Sequence, residues 1–145
     1  MSDALSSAVS KLRTSSARLN QLTDDAAATV KQVEEFLGQE CSIGIPAFVQ
    51  IREATKPGEL EEYFEYRHMG SGFRFVYVTS PFNSPDDEHV AMWSNCGRDV
   101  KLETIKRLPD LLAEIAKKVD DRIVEAEKTM ESVSQVLHSL IGKED

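Results

Sequence analysis

Only two of the 145 residues are cysteine, and Cys41 and Cys96 form neither a CxxC pair nor any spacing that holds a metal. One disulfide is open to them if the fold apposes them. In a chain without an export signal, two reduced and partly buried thiols are the expectation. No apolar run approaches the ~20 residues that cross a bilayer. Ser and Ala dominate residues 2–10, where a signal peptide would run from basic to apolar. No Asn has Ser or Thr two positions on, so no glycosylation acceptor is present. A cytoplasmic protein is therefore expected. Basic segments are missing too. The formal charge of −8 is spread as −1, −4 and −3 over residues 1–38, 39–106 and 107–145. That balance argues against nucleic acid as a partner, because a phosphate backbone demands a basic footprint, and against an anionic membrane surface. No catalytic signature stands out, and no residue set calls for a cofactor or a metal.

Against these absences stands a seven-residue apolar repeat at each end of the chain. Leu5, Leu12, Leu19, Ala26 and Val33 form the first, and Leu112, Val119, Ala126, Val133 and Leu140 the second. With 41% hydrophobic and 29% charged residues, the chain reads as one globular domain spanning residues 1–145. Spacings of three and four from Leu5 to Leu37 predict a helix over 3–37, capped by Ser2 and stopped by Gly38, about 52 Å long at 1.5 Å per residue. Thr23-Asp24-Asp25 also reads as a cap followed by first-turn acids, so the serine-rich first 20 residues either continue the helix or stand apart from it. A second helix is expected over 104–141, capped by Thr104, kinked somewhat at Pro109 and ended by Gly142.

Between them the composition changes. Nine of the ten aromatics fall between Phe48 and Trp93, interleaved with Val and Ile. Strands are expected at about 46–54, 60–68, 73–80 and 89–95 within a β segment over 43–101, with turns at Lys56-Pro57-Gly58-Glu59 and Gly70-Ser71-Gly72 and a longer loop from Pro81 to Asp87. Short connections make the strands an antiparallel meander. The fold class is α+β, in the order α-β-β-β-β-α. Both helices are tied to the sheet at one end, so they are expected to pair antiparallel, Val33 near Leu112, Leu19 near Ala126, and Leu5 near Leu140. The apolar stripes are broad close to the sheet and narrow to a coiled-coil seam farther out.

Three clusters have the composition of a chemical site. Pro85-Asp86-Asp87-Glu88-His89 offers carboxylates and an imidazole, but consecutive residues do not converge on one ion without an unusual loop, and a solvated acidic loop is the expectation. Cys96-Gly97-Arg98-Asp99 sets a guanidinium near a thiol, but His68, His89 and His138 cannot be placed beside it as a base, so a small apolar cysteine at a strand end is expected. Glu59, Glu61, Glu62 and Glu65 resemble an acid and base set, yet alternation suits them to the wet side of an edge strand. The aromatics are harder to dismiss. Alternation sends Phe73, Phe75 and Tyr77 to one face of the third strand and Val76 and Val78 to the other, and it separates Tyr63 from Phe64 and Tyr66. Two helices cover only one face, so the other meets a second copy, binds something else, or packs behind the long loop.

The order of helix, strands and helix is similar in outline to prefoldin subunits, without their short glycine-rich hairpins. The small acidic character resembles the dedicated chaperones of bacterial type III secretion, which interleave helices between strands as this chain does not. Both likenesses rest on order and composition and transfer no residues. The expectation is a non-enzymatic interaction module, adaptor or structural subunit acting as a homo-oligomer, most simply a dimer, with another protein or peptide as partner. Its contacts would come from Phe73, Phe75, Tyr77 and Tyr63 on the sheet and from Leu5, Leu12, Leu19 and Val133 on the helices. The alternatives are a small acidic chaperone holding an extended segment on the sheet face or edge, and an enzyme or ligand-binding fold using the Cys96–Asp99 turn.

Overall fold

The computed structural model describes residues 2–142. Helix α1 runs Asp3–Glu35, strands β1 to β4 run Ala47–Arg52, Leu60–Met69, Gly72–Pro81 and His89–Met92, and helices α2 and α3 run Arg98–Ile105 and Leu108–Gly142. The strands lie in the order β1-β2-β3-β4, each antiparallel to the next. This is the α+β meander expected from the strand spacing. Gly70 takes φ 58° in the two-residue turn between Met69 and Gly72, and Gly58 takes φ 93° in the turn before β2, both in the left-handed region that glycine occupies without strain.

Of the two readings open for the first 20 residues the continuous helix is the one found, whereas the stop at Gly38, the single second helix and the end of the fourth strand differ from expectation, β4 giving way at Trp93–Asn95 to a 3-10 turn. α1 is continuous through Thr23-Asp24-Asp25, because the Thr23 hydroxyl donates back to the Leu19 carbonyl (2.8 Å) and does not cap a new start. Gly38 does not stop it. The helix widens into a π turn over Phe36–Glu40, and the left-handed residue is Ser42, with φ 53°. The expected second helix is two helices. Pro109 sits in the first turn of α3, where its missing N–H costs no hydrogen bond, so the chain breaks at Lys106–Arg107 rather than kinking. Thr104 then lies near the end of α2, not at a cap.

The core lies between one sheet face and the two long helices. Ala47, Val49, Phe64, Tyr66, Phe75 and Trp93 meet Ala26 and Val30 from α1, Leu37 from the π turn that follows it, and Leu108, Leu111 and Ile115 from α3. α1 packs on β3 and α2, and α3 on β1 and β2. Polar links fix both helices. β4 ends opposite Val76, and the next N–H along β3, that of Phe75, donates to the Glu34 carboxylate (2.9 Å). At the irregularity between Gln50 and Arg52, the Gln50 carbonyl accepts from the Arg107 guanidinium (2.7 Å).

The expected antiparallel pairing of α1 with α3 is not made within the chain. Among the described residues the two helices make no extended contact. Leu5, Leu12, Leu19, Val133 and Leu140 are all exposed, from 39% at Leu19 to 68% at Leu12. The helices are anchored on different strands, and each runs on past the sheet alone.

Candidate interaction surface

Burial divides each long helix into a base and an arm. In α3 the last side chain that is not exposed is Val119, and every residue from Asp120 to Gly142 is exposed. In α1 every described residue before Thr23 is exposed except Val9, which is half-buried. The apolar stripe does not end where the cover does. Ile123, Ala126, Met130, Val133, Leu137 and Leu140 continue the face that Leu108, Leu111 and Ile115 bury below. The spacing alternates three and four, the seam of a coiled coil. The α1 arm carries a thinner stripe, Leu5, Val9, Leu12 and Leu19, interrupted by Ser16 and Thr23.

The sheet residues expected to meet a partner are placed otherwise. Phe75 is 1% exposed in the core, and Phe73 packs against the same cluster. Tyr77 shares that face, and its hydroxyl donates to Glu62 through a short hydrogen bond. Burial, then this carboxylate, hold its pKa far above the ordinary phenol value. All three residues lie on the face that the helices cover, so a partner cannot reach Phe75 while the core stands.

Tyr63 points to the other face, where its ring meets Phe48 edge-on at 5.7 Å. The connection from β3 to β4 folds back over that face, and Val76, Val78 and Ser80 are buried there within the chain. Of the three covers considered for this face, the long loop is the one the structure shows. It leaves a cleft of about 230 Å³ between Phe48, Tyr63, Glu65, Val78 and Glu88. Arg67 bridges Glu65 (3.0 Å) and Glu88 (2.8 Å) at its side. Burial pushes the Glu65 carboxyl up against the opposing pull of Arg67, whereas the hydrogen bond from Arg67 draws Glu88 down. This network escaped the sequence reading, since nothing in sequence places Glu88 of the loop over a β2 arginine.

The other clusters disperse. Asp86, Asp87 and His89 are exposed while Glu88 turns to Arg67, and among the described residues no three His, Cys, Asp or Glu side chains gather as metal ligands. Glu59 accepts from the Thr55 hydroxyl and Glu61 from Tyr63, while Glu62 pairs with Arg52. Their strand, β2, is interior and not the edge strand expected. The Cys96 thiol donates to the Met92 carbonyl (3.5 Å), and burial raises its pKa. Arg98 reaches Asn20 of α1 instead. His68 packs edge-on against Phe73, and His138 stands exposed on the α3 arm. Both cysteines are free, and Cys41 is exposed rather than partly buried. Among the described residues no helix is long and apolar enough to cross a membrane.

No protein-family model, curated protein or solved structure matches this chain. The functional reading therefore rests on the fold and its side chains.

Proposed function

We propose that this protein is a non-enzymatic interaction module, an adaptor or structural subunit of the cytoplasm that works as a homo-oligomer and engages other proteins through its helical arms. The observation that carries the reading is the α3 arm, which keeps an unbroken apolar seam over residues that are all exposed in the single chain. An exposed apolar stripe of this length marks an interaction site. The reading needs no closed polar pocket, and it puts the contact surface on the helices rather than on the sheet. A chaperone that shelters an extended segment on the sheet would have to use the Phe48–Tyr63 patch, because Val76 and Val78 already lie behind the loop.

Light scattering behind a sizing column tests it. The mass should be at least twice 16.2 kDa at micromolar concentration. A seam variant, Met130→Asp with Leu137→Asp, should return the monomer mass and leave the sheet core as stable as before, since both positions are exposed in the single chain. A wild-type monomer across dilution would sink the proposal.

A further inference from the structure

Resting on that oligomeric reading, we infer that the occupant of the α3 seam is the α3 arm of a second copy, lying antiparallel, with Ile123 against Leu140, Ala126 against Leu137 and Met130 against Val133 of the partner copy. Three observations lead there. The first is composition. From Val119 to Leu140 every seam position is apolar, while the α1 arm interrupts its stripe with Ser16 and Thr23. A polar residue in a seam lowers stability, so the α3 arm is its own best complement.

The second is the position of the sheet. Below Val119 the same helix face is buried through Leu108, Leu111 and Ile115 against β1 and β2. A partner helix laid parallel in the seam would carry its base down into the space this sheet already fills. A helix entering from the opposite direction ends where the sheet begins. Its own sheet then sits beyond the tip of the first arm.

The third is register. The free arm spans residues 120–142, and overlapping two such arms end to end sets those three pairings. Small Ala126 then faces Leu137, and Glu127 lies beside Ser134 of the partner copy. Sliding by one heptad toward the sheets brings Glu127 against its own symmetry mate, a like-charge contact that costs free energy.

The test uses the full chain with Cys41→Ser and Cys96→Ser. Ile123→Cys and Leu140→Cys are introduced together and singly, and mild oxidation is followed by non-reducing electrophoresis and by light scattering of the unoxidised sample. Positions 123 and 140 are about 26 Å apart along one helix at 1.5 Å per residue, beyond the Cα separation a disulfide bridges. No bond can form between them within a helix. The double variant should become a covalent dimer almost completely, and either single variant should crosslink at least tenfold less. Efficient crosslinking of the single variants would mean a parallel pair and overturn the inference. A dimer mass with no crosslink in any variant would also overturn it while leaving the oligomeric reading intact. A monomer mass would remove both.

Discussion

The indole N–H of Trp93 donates to the hydroxyl of Thr104 at 2.7 Å, and that hydroxyl donates in turn to the Val100 carbonyl at 2.7 Å. Both residues are 1% exposed. The pair ties α2 to the end of β4 and closes the core beneath α1. Thr104→Val keeps the shape but leaves a buried indole N–H unpaired, which costs about 1–3 kcal/mol. Urea unfolding followed by the fluorescence of the single tryptophan should show that loss, and Thr104→Ser should recover most of it.

The two carboxylate partners of Arg67 have opposite pH behaviour, because Glu65 is more deeply buried than Glu88. Glu65 has a folded pKa above the ordinary value of 4.5, because burial outweighs the arginine. Its contribution to stability is full below that value and is lost as pH rises through the folded pKa. Glu88 has a folded pKa below 4.5, so its contribution is present above that value and is lost as pH falls through the folded pKa. Above pH 4.5, Glu65→Gln should gain stability relative to wild type as pH rises through the folded pKa of Glu65, whereas below pH 4.5, Glu88→Gln should lose stability relative to wild type as pH rises toward that value. Glu88 is exposed enough to hold its effect to about 0–1 kcal/mol. Slopes of the same sign for the two variants would refute the assignment.

The three tyrosines should resist ionisation. Burial is the leading cause that raises the pKa of Tyr63, Tyr66 and Tyr77, with Glu61 and Glu62 adding to it at the first and last. A phenol raised in the folded state contributes stability that is whole below the ordinary value of 10.0 and is lost as pH climbs past it. Tyrosinate absorbance should therefore lag behind that of a free phenol, and its last phase should coincide with loss of far-ultraviolet ellipticity.

The two thiols should separate kinetically. Cys41 is exposed, whereas Cys96 is half-buried with a raised pKa. A chromogenic disulfide reagent should label Cys41 at least tenfold faster, and Cys41→Ser should abolish the fast phase. Cys96→Ser should cost about 1 kcal/mol or less, as exchange of a small half-buried group does. A Cys96 thiolate titrating near pH 6 would point to an activated nucleophile instead.

Much of this fold was readable in the residues. The four strands, the turns at Gly58 and Gly70, and both heptad stretches follow from aromatic clustering and from spacings of two, three and four. Alternation placed Phe73, Phe75 and Tyr77 together but could not say which face the helices would take. That choice depends on where α1 and α3 dock, so three core-facing side chains were read as a surface. The pairing of Leu19 with Ala126 failed for a related reason. A matched pair of heptads is equally consistent with contact inside a chain and between chains, and only the anchoring of α1 on β3 and α3 on β1 separates them. Thr104 looked like a cap because it precedes an apolar periodic run. Its actual hydrogen-bond partner, Trp93, is fixed by a tertiary approach that no local pattern encodes.

The exposed arms have a thermodynamic consequence. Beyond Val119 every described residue of α3 is exposed, and most helical stability in proteins comes from tertiary packing rather than from propensity. On the proposed pairing of arms between copies, one chain would carry two classes of order, one fixed by its own sequence and one governed by how many copies are present. Diluting the protein should diminish helical ellipticity while the emission of Trp93, deep in the sheet core, stays unchanged. Proteolysis should follow the same division, with cuts in the arms at low concentration and protection as the concentration rises.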